Sequence, residues 1–123
     1  MQNRRLSPCF NLEDFWFSET AIRSGIDNTP QDEEIVTRLQ SLAIHLLEPV
    51  CAHFDTRPQI SSGYRCPVLN AKVGGVPDSQ HLTGHAVDFE LPGVNPETVA
   101  RWMQDAPLDY DQLLVEMAGG KAW

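Results

Sequence analysis

The chain has 123 residues, a formal net charge of −8 and 41% hydrophobic residues. This length accommodates one domain with one core, so we expect a single domain over residues 1–123, and the composition excludes a disordered chain. The acidic balance argues against general nucleic-acid binding and against docking on anionic lipid. No apolar run approaches the roughly 18 residues that a membrane span needs.

The N-terminus and the cysteines indicate the cellular compartment in which the protein is made. Arg4 and Arg5 are not followed by the apolar stretch of a secretory signal, so we expect synthesis in the cytoplasm without such a signal. The chain has three cysteines, and an odd number fits reduced thiols better than a disulfide framework. Cys51 falls in a helical pattern and is expected to be a small buried hydrophobic residue.

The first half of the chain predicts two helices. Ser18 suits the N-cap of a short helix that ends near Gly25. The second helix is longer; its expected cap is Asn28 or Thr29, and Pro30 suits the first helical position.

Apolar residues of this second helix recur at spacings of three and four, which is typical of one buried helix face. They are Ile35, Leu39, Leu42, Leu46 and Val50. Pro49 should kink or interrupt the helix near its end, because proline cannot donate the helical hydrogen bond.

The second half of the chain predicts short strands mixed with helices. In order, the pattern predicts a strand in "QISSGYR", a helix in "CPVLNAKVGG", a loop in "PDSQHLTG", a strand in "HAVDFEL", a helix in "NPETVARWMQDA" and a strand in "YDQLLVEMA". Helices first and strands later indicate an α+β fold, with a small, mostly antiparallel sheet packed against the N-terminal helices.

The segment "SQHLTGHAVDFE", residues 79–90, brings two histidines and an aspartate close together in sequence. Gly84 permits a tight bend between His81 and Asp88, so both side chains are able to converge on one point. Imidazole nitrogen and carboxylate oxygen are good zinc ligands. Strand alternation turns His85 away from the face of Asp88, so we expect that His85 is not a ligand. From spacing alone, solvated or structural side chains are the more common explanation.

The same segment carries the pattern SxHxxGxAxD over residues 79–88 and resembles the zinc D-Ala-D-Ala carboxypeptidase family, whose fold is related to the hedgehog signalling domain. Upstream, "ISSGYRCPVLNAKVGGVPDSQH" resembles the family's SGYR-containing segment. The opening "FWFSETAIRSGIDN" and the later "LLEPV" resemble its phage and prophage branch. The resemblance covers nearly the whole chain and implies a hedgehog/DD-peptidase-like α+β fold and a zinc-dependent peptidase.

The resemblance also implies roles for single residues. His81 and Asp88 match two of the family's three zinc ligands. Arg65 matches the residue that holds the substrate carbonyl or its developing oxyanion, a role that suits a fixed guanidinium; a structural salt bridge is its alternative role. Ser62, Tyr64 and Ser79 are the expected substrate-side residues. Ser62 and Tyr64 either shape the pocket or are purely structural, and Ser79 either caps its loop or donates a hydrogen bond to a zinc ligand.

The sequence departs from the family at the third ligand, a histidine usually two residues past a tryptophan near the C-terminus. The printed sequence ends at Trp123, so the matching position would fall just beyond it. His45 and His53 belong to the long helix and are poor substitutes. We therefore expect the extreme C-terminal strand to be missing and zinc to be weakly held or absent in this chain. The expected general base is Glu116, with a surface carboxylate as the alternative.

Together these observations predict a zinc metallopeptidase that acts on peptidoglycan stem peptides, as a D-Ala-D-Ala carboxypeptidase or an endolysin, with activity impaired by the missing ligand. A phage or prophage origin would deliver such a protein to the cell wall. The alternatives are a non-catalytic module that binds cell-wall peptide and a phage structural component with the same fold. Peptidoglycan peptide is the expected partner in the first two cases.

Overall fold

The computed structural model of the protein describes residues 4–105 and has an α+β fold. Its elements follow in chain order: α1 (Leu12–Trp16), α2 (Glu19–Ser24), α3 (Glu33–Leu42), a π-helical segment (Ala43–Leu47), α4 (Glu48–Phe54), β1 (Gln59–Ser62), α5 (Pro67–Lys72), a 3₁₀ helix (Gln80–Thr83), β2 (Asp88–Glu90) and α6 (Pro96–Asp105). The predicted fold class is confirmed, because helix α1 packs against α3 and against β1 of the antiparallel pair β1–β2.

Helix α1 is not predicted by the sequence pattern. Five residues are too few to show a helical repeat, and a helix this short is not stable alone in water. The Asp14 carboxylate accepts a hydrogen bond from the Asn11 N–H at 2.7 Å, which fixes the first turn. Leu12 and Phe15 are fully buried, so tertiary packing stabilises the helix.

Helix α2 confirms its predicted ends. The Ser18 hydroxyl accepts a hydrogen bond from the Ala21 N–H at 3.1 Å and caps the first turn. Gly25 ends the helix in the left-handed conformation, with φ of 69°, which an L-residue adopts only at a cost.

A helical run extends through α3, the π-helical segment and α4, and the predicted interruption near Pro49 is confirmed. Pro49 has no N–H, and its ring would crowd the carbonyl group four residues earlier, so the helix widens into the π segment just before it. The predicted apolar face is also confirmed. Its buried members are Val36, Leu39, Ala43, Leu46, Leu47 and Val50, and Ile35 and Leu42 pack against them.

The predicted start of this long helix is wrong. The helix begins at Glu33, and the Asp32 side chain caps it by accepting a hydrogen bond from the Glu34 N–H at 2.9 Å. Pro30 and Asn28 lie before the helix and are buried. Asn28 therefore does not cap the helix, and Pro30 is not its first residue.

Strands β1 and β2 pair antiparallel, with Ile60 opposite Phe89 and Ser62 opposite Asp88. The register shifts between Ile60 and Ser62, so Ser61 is the extra residue of a β-bulge. Strand β2 has three residues and is shorter than the predicted strand "HAVDFEL". The predicted loop "PDSQHLTG" contains the 3₁₀ helix, which the sequence pattern missed because four residues show no period.

Helices α5 and α6 agree with the sequence prediction. Helix α5 begins at Pro67, and Gly74 follows its end with φ of 77°. Asn95 caps α6, because its side-chain oxygen accepts a hydrogen bond from the Glu97 N–H at 2.8 Å. The core lies between the N-terminal segment with α1, the long helical run and α6. Its buried members outside the long run are Leu6, Phe10, Leu12, Phe15, Tyr64, Leu91, Val99 and Met103.

Within residues 4–105, no helix is both long and apolar enough to cross a membrane. The predicted strand "YDQLLVEMA", which carries Glu116, lies outside the described residues.

Candidate metal and substrate site

The structure brings His81 and Asp88 together. Nε2 of His81 lies 3.4 Å from Oδ2 of Asp88, and the His81 side chain is 12% exposed against 31% for Asp88. His81 belongs to the 3₁₀ helix and Asp88 begins β2, with the Gly84 bend between them. The convergence expected from the sequence is therefore present in the fold.

A carbonyl group fixes the orientation of the His81 ring. Nδ1 of His81 lies 2.6 Å from the Gly63 carbonyl oxygen, which is able only to accept a hydrogen bond. Nδ1 therefore donates a proton to this carbonyl, and Nε2 is the ring nitrogen that faces Asp88. This orientation leaves Nε2 as the ring nitrogen that would bind a metal ion.

Gly63 has no room for a side chain. A Cβ atom there would overlap the Phe15 carbonyl oxygen, with the Phe15 Cα atom at 2.9 Å. The Tyr64 N–H also donates to the Phe15 carbonyl at 2.7 Å, so the end of β1 lies directly on the end of α1. This close approach places the Gly63 carbonyl that His81 uses. The "SGYR" pattern in the sequence includes Gly63, but it does not reveal that a side chain at this position would overlap Phe15.

The 3₁₀ helix that carries His81 is held at both ends. The Ser79 hydroxyl accepts a hydrogen bond from the His81 N–H at 3.2 Å and caps the start. Gly84 ends the helix with φ of 79°, and a Cβ atom there would lie 3.0 Å from the Ile35 carbonyl oxygen. Arg38 of α3 donates to the Thr83 carbonyl at 3.0 Å. The 3₁₀ helix thus docks on α3, which gives His81 a rigid support.

Arg65 lies beside the pair and is connected to it through hydrogen bonds. Its Nη2 donates to the Ser79 hydroxyl at 3.1 Å, and its backbone N–H donates to the His81 carbonyl at 3.1 Å. Among residues 4–105, no carboxylate lies within ion-pair distance of Arg65, and its buried Nε has no hydrogen-bond partner there. The described part of the chain thus leaves donor capacity of this guanidinium unused next to the site.

Asn28 holds the backbone on both sides of Arg65. Its Nδ2 donates to the Tyr64 carbonyl at 3.1 Å and to the Trp16 carbonyl at 2.7 Å, and its Oδ1 accepts from the Cys66 N–H at 2.7 Å. The side chain is buried, so these bonds are shielded from water. Sequence reasoning gave Asn28 only a capping role. A local pattern cannot reveal this role, because the partners lie 12 to 38 residues away.

An open groove of about 480 Å³ includes Arg65 in its lining, whereas His81 and Asp88 do not line it. Its walls come from the start of α2, from β1 with the residues after it, and from α5. Its lining includes Ser62, Tyr64 and Arg65 from the predicted set, together with Phe17, Arg23 and Val73. Ser79 does not line the groove, and its hydroxyl is bonded to Arg65 and to the His81 N–H. Burial raises the pKa of the Tyr64 phenol.

Comparison with known families identifies the family of the chain. The sequence model of the family described as Peptidase M15 matches residues 8–116. The chain belongs to the M15 peptidase family. It is therefore a peptidase by ancestry, of the metallopeptidase type. Comparisons with curated proteins and with solved structures gave no match.

The M15 family is zinc-dependent in general, and the paired side chains fit that ion. Two ligands of a tetrahedral zinc, with bonds of about 2.0–2.1 Å, lie about 3.3 Å apart. The observed separation between Nε2 and Oδ2 is 3.4 Å. Within residues 4–105, however, no group of three His, Cys, Asp or Glu side chains is arranged to hold a metal ion. The described part of this M15 chain thus offers two candidate ligands of the three that the resemblance implies.

The other histidines lie away from this pair. His85 is exposed, and its Nδ1 lies 2.6 Å from the Thr83 hydroxyl. His53 stacks on Trp102 with ring centroids 4.3 Å apart, and His45 lies on the π-helical segment. Glu116, the predicted general base, lies outside the described residues.

Proposed function

We propose that this M15 chain is a zinc-dependent peptidase that acts on peptidoglycan stem peptides, as a D-Ala-D-Ala carboxypeptidase or an endolysin of phage or prophage origin. The observation that carries the proposal is the 3.4 Å approach of His81 Nε2 to Asp88 Oδ2, with the ring oriented by the Gly63 carbonyl. A solvated surface pair does not require a ring whose orientation is fixed in this way. Membership of the M15 family supports the same proposal.

Each candidate site residue would have its own role in peptide hydrolysis. Zinc bound between His81 and Asp88 would supply a Lewis acid for the peptide carbonyl and for the attacking water. Arg65 would donate to the carbonyl oxygen as negative charge develops there, and the Ser79 hydroxyl holds the guanidinium for that task. Glu116 is our candidate for the base that takes the proton of the water.

The groove suits an extended peptide. Its lining combines polar residues, Ser61 and Ser62, with apolar residues, Phe17 and Val73. A peptide with small side chains would place its main chain against the two serine residues. The groove includes Arg65, so a bond held there would lie next to the guanidinium.

Zinc titration tests the metal site. We expect the chain to bind zinc in competition with a chromophoric chelator, and Asp88→Asn and His81→Ala to weaken binding at least about 10-fold. His85→Ala is the matched control, since it removes an exposed imidazole four residues from His81. Equal zinc affinity of wild type and the Asp88 and His81 variants would refute the site.

Hydrolysis of a peptide ending in D-Ala-D-Ala, and of purified peptidoglycan, tests the reaction. We expect slow cleavage that depends on added zinc, and Arg65→Lys to lower kcat more than it raises KM, because lysine cannot reproduce the fork of donors. A tight complex that is never cut would favour the binding-module alternative, which the two-ligand set within residues 4–105 also supports.

A further inference from the structure

Two cysteines that the proposed peptidase function does not use lie next to each other. Cys9, in the segment before α1, and Cys51, in α4, have Sγ atoms 3.7 Å apart although 42 residues separate them in sequence. Both are free and half-buried, so Cys51 is less buried than the sequence predicts. Cys66 is also free and precedes α5.

We infer that Cys9 and Cys51 form an oxidation site: a small-molecule disulfide converts the two thiols into an intramolecular disulfide that fastens the N-terminal segment to α4. This inference goes beyond the proposed function and does not depend on it. It also refines the expectation that all thiols stay reduced, which came from the odd cysteine count.

The backbone around Cys9 is held in place by side chains of and near α4. The Cys9 N–H donates to Oε2 of Glu48 at 2.7 Å, and the Ser7 hydroxyl donates to the same oxygen at 2.6 Å. Arg57 Nε donates to the Cys9 carbonyl at 2.9 Å. Glu48 lies three residues before Cys51, on the same face of the helix. The two sulfur atoms are therefore kept close by bonds that do not involve them.

The remaining movement is small. A disulfide bond is about 2.05 Å long, so the two sulfur atoms need to approach by about 1.7 Å from their 3.7 Å separation. Rotation of two unbranched side chains supplies movements of this size without breaking the bonds from Glu48 and Arg57.

The chemistry is thiol–disulfide exchange. One protein thiolate attacks a sulfur of the small disulfide, whose S–S bond breaks and releases one thiol. The second protein thiolate then attacks the mixed disulfide and releases the other thiol. The protein loses two electrons and two protons, and the small disulfide gains both. Burial, the hydrogen bond to Cys51 and the nearby Glu48 raise the pKa of Cys9 to about 11, so Cys9 is a slow attacking thiol at neutral pH.

Oxidised glutathione is the probe that tests this inference. We expect the full chain, incubated with it and then alkylated, to lose the mass of two hydrogens and to carry one alkyl group, on Cys66. Closing a loop of this length should raise the melting temperature by about 10 °C, and dithiothreitol should reverse the gain.

Single substitutions provide the controls. Cys66→Ser should form the same disulfide and gain the same thermal stability as wild type. Cys9→Ser and Cys51→Ser should form no intramolecular disulfide and gain no stability. Glutathione adducts on both Cys9 and Cys51 of the wild type, a cross-link that includes Cys66, or an oxidised chain that melts with the reduced one would overturn the inference. None of these readouts requires zinc or peptidase activity.

Discussion

Replacing Asn28 tests whether the SGYR segment is held from the interior. Asn28→Ala removes three hydrogen bonds and leaves the carbonyls of Trp16 and Tyr64 and the N–H of Cys66 without their partner. An unsatisfied buried polar group costs about 1–3 kcal/mol. Trp16 and Cys66 are only half-buried, so water reaches part of this set. We therefore expect a loss of about 3 kcal/mol, which lowers the melting temperature by about 10 °C.

The assay is urea and thermal unfolding followed by circular dichroism, with Asn95→Ala as the matched control. Asn95 also accepts a hydrogen bond from a backbone N–H, but at the exposed start of α6. Loss of such a cap costs about 1 kcal/mol. If Asn28→Ala destabilises the protein no more than Asn95→Ala does, Asn28 does not hold this segment and the reasoning fails.

The isosteric variant Asn28→Asp separates the donor role from packing. Asp keeps an acceptor for the Cys66 N–H, but at neutral pH it places a carboxylate oxygen against the carbonyls of Trp16 and Tyr64. We expect it to be at least as unstable as Asn28→Ala, although it leaves no cavity. Wild-type stability in Asn28→Asp would show that the two donated bonds contribute nothing.

Two further predictions concern the stability of variants at Gly63 and Cys9. Gly63→Ala should destabilise the protein by about 2–4 kcal/mol, because the new methyl group would overlap the Phe15 carbonyl. The control is Gly93→Ala, which should cost only about 1 kcal/mol, because a Cβ there meets open space at φ of 79°. Equal losses of stability for the two variants in urea unfolding would contradict this prediction. Under reducing conditions, the thiol of Cys9 has a pKa raised from 9.0 to about 11, so the folded state keeps its proton where the unfolded state loses it. The stabilisation is full below pH 9 and declines as pH rises toward 11, so wild type should lose more stability than Cys9→Ser across that window. Parallel pH profiles of the two proteins would refute that assignment.

The elements that the sequence predicted are those with local signals. Ser18 and Asn95 cap helices through bonds to residues two or three positions away, and Pro49 acts on the carbonyl four residues before it. The missed elements have local caps too, at Asp14 and at Ser79, but they are too short to show a helical repeat. Helix α1 and the 3₁₀ helix are short, and contacts with distant residues hold them in place.

In the candidate site too, the sequence predicts the local features and misses the contacts between distant residues. Spacing and resemblance identified His81 and Asp88, and their approach needs only the Gly84 bend within one continuous segment. The parts that orient them come from elsewhere in the chain. Nothing near Gly63 in sequence reveals that its carbonyl faces an imidazole 18 residues later. The sequence Asn–Thr–Pro predicts a helix cap at Asn28, and this prediction is wrong because the side chain is buried and satisfies three backbone groups there.

The segment from Ser62 to Cys66 positions the side chains of the whole candidate site. Ser62 pairs with Asp88 across the sheet, the Gly63 carbonyl orients the ring of His81, and Arg65 projects from the segment itself. Its backbone is fixed in turn by Phe15 and by Asn28. Because the three candidate side chains take their positions from one short piece of backbone, a shift of that piece changes their mutual geometry while the helical core stays folded. Catalytic groups need placement within about 0.5 Å. A substitution that moves this segment should therefore reduce activity before it reduces helix content, and variants of the buried face of α3 should show the reverse order.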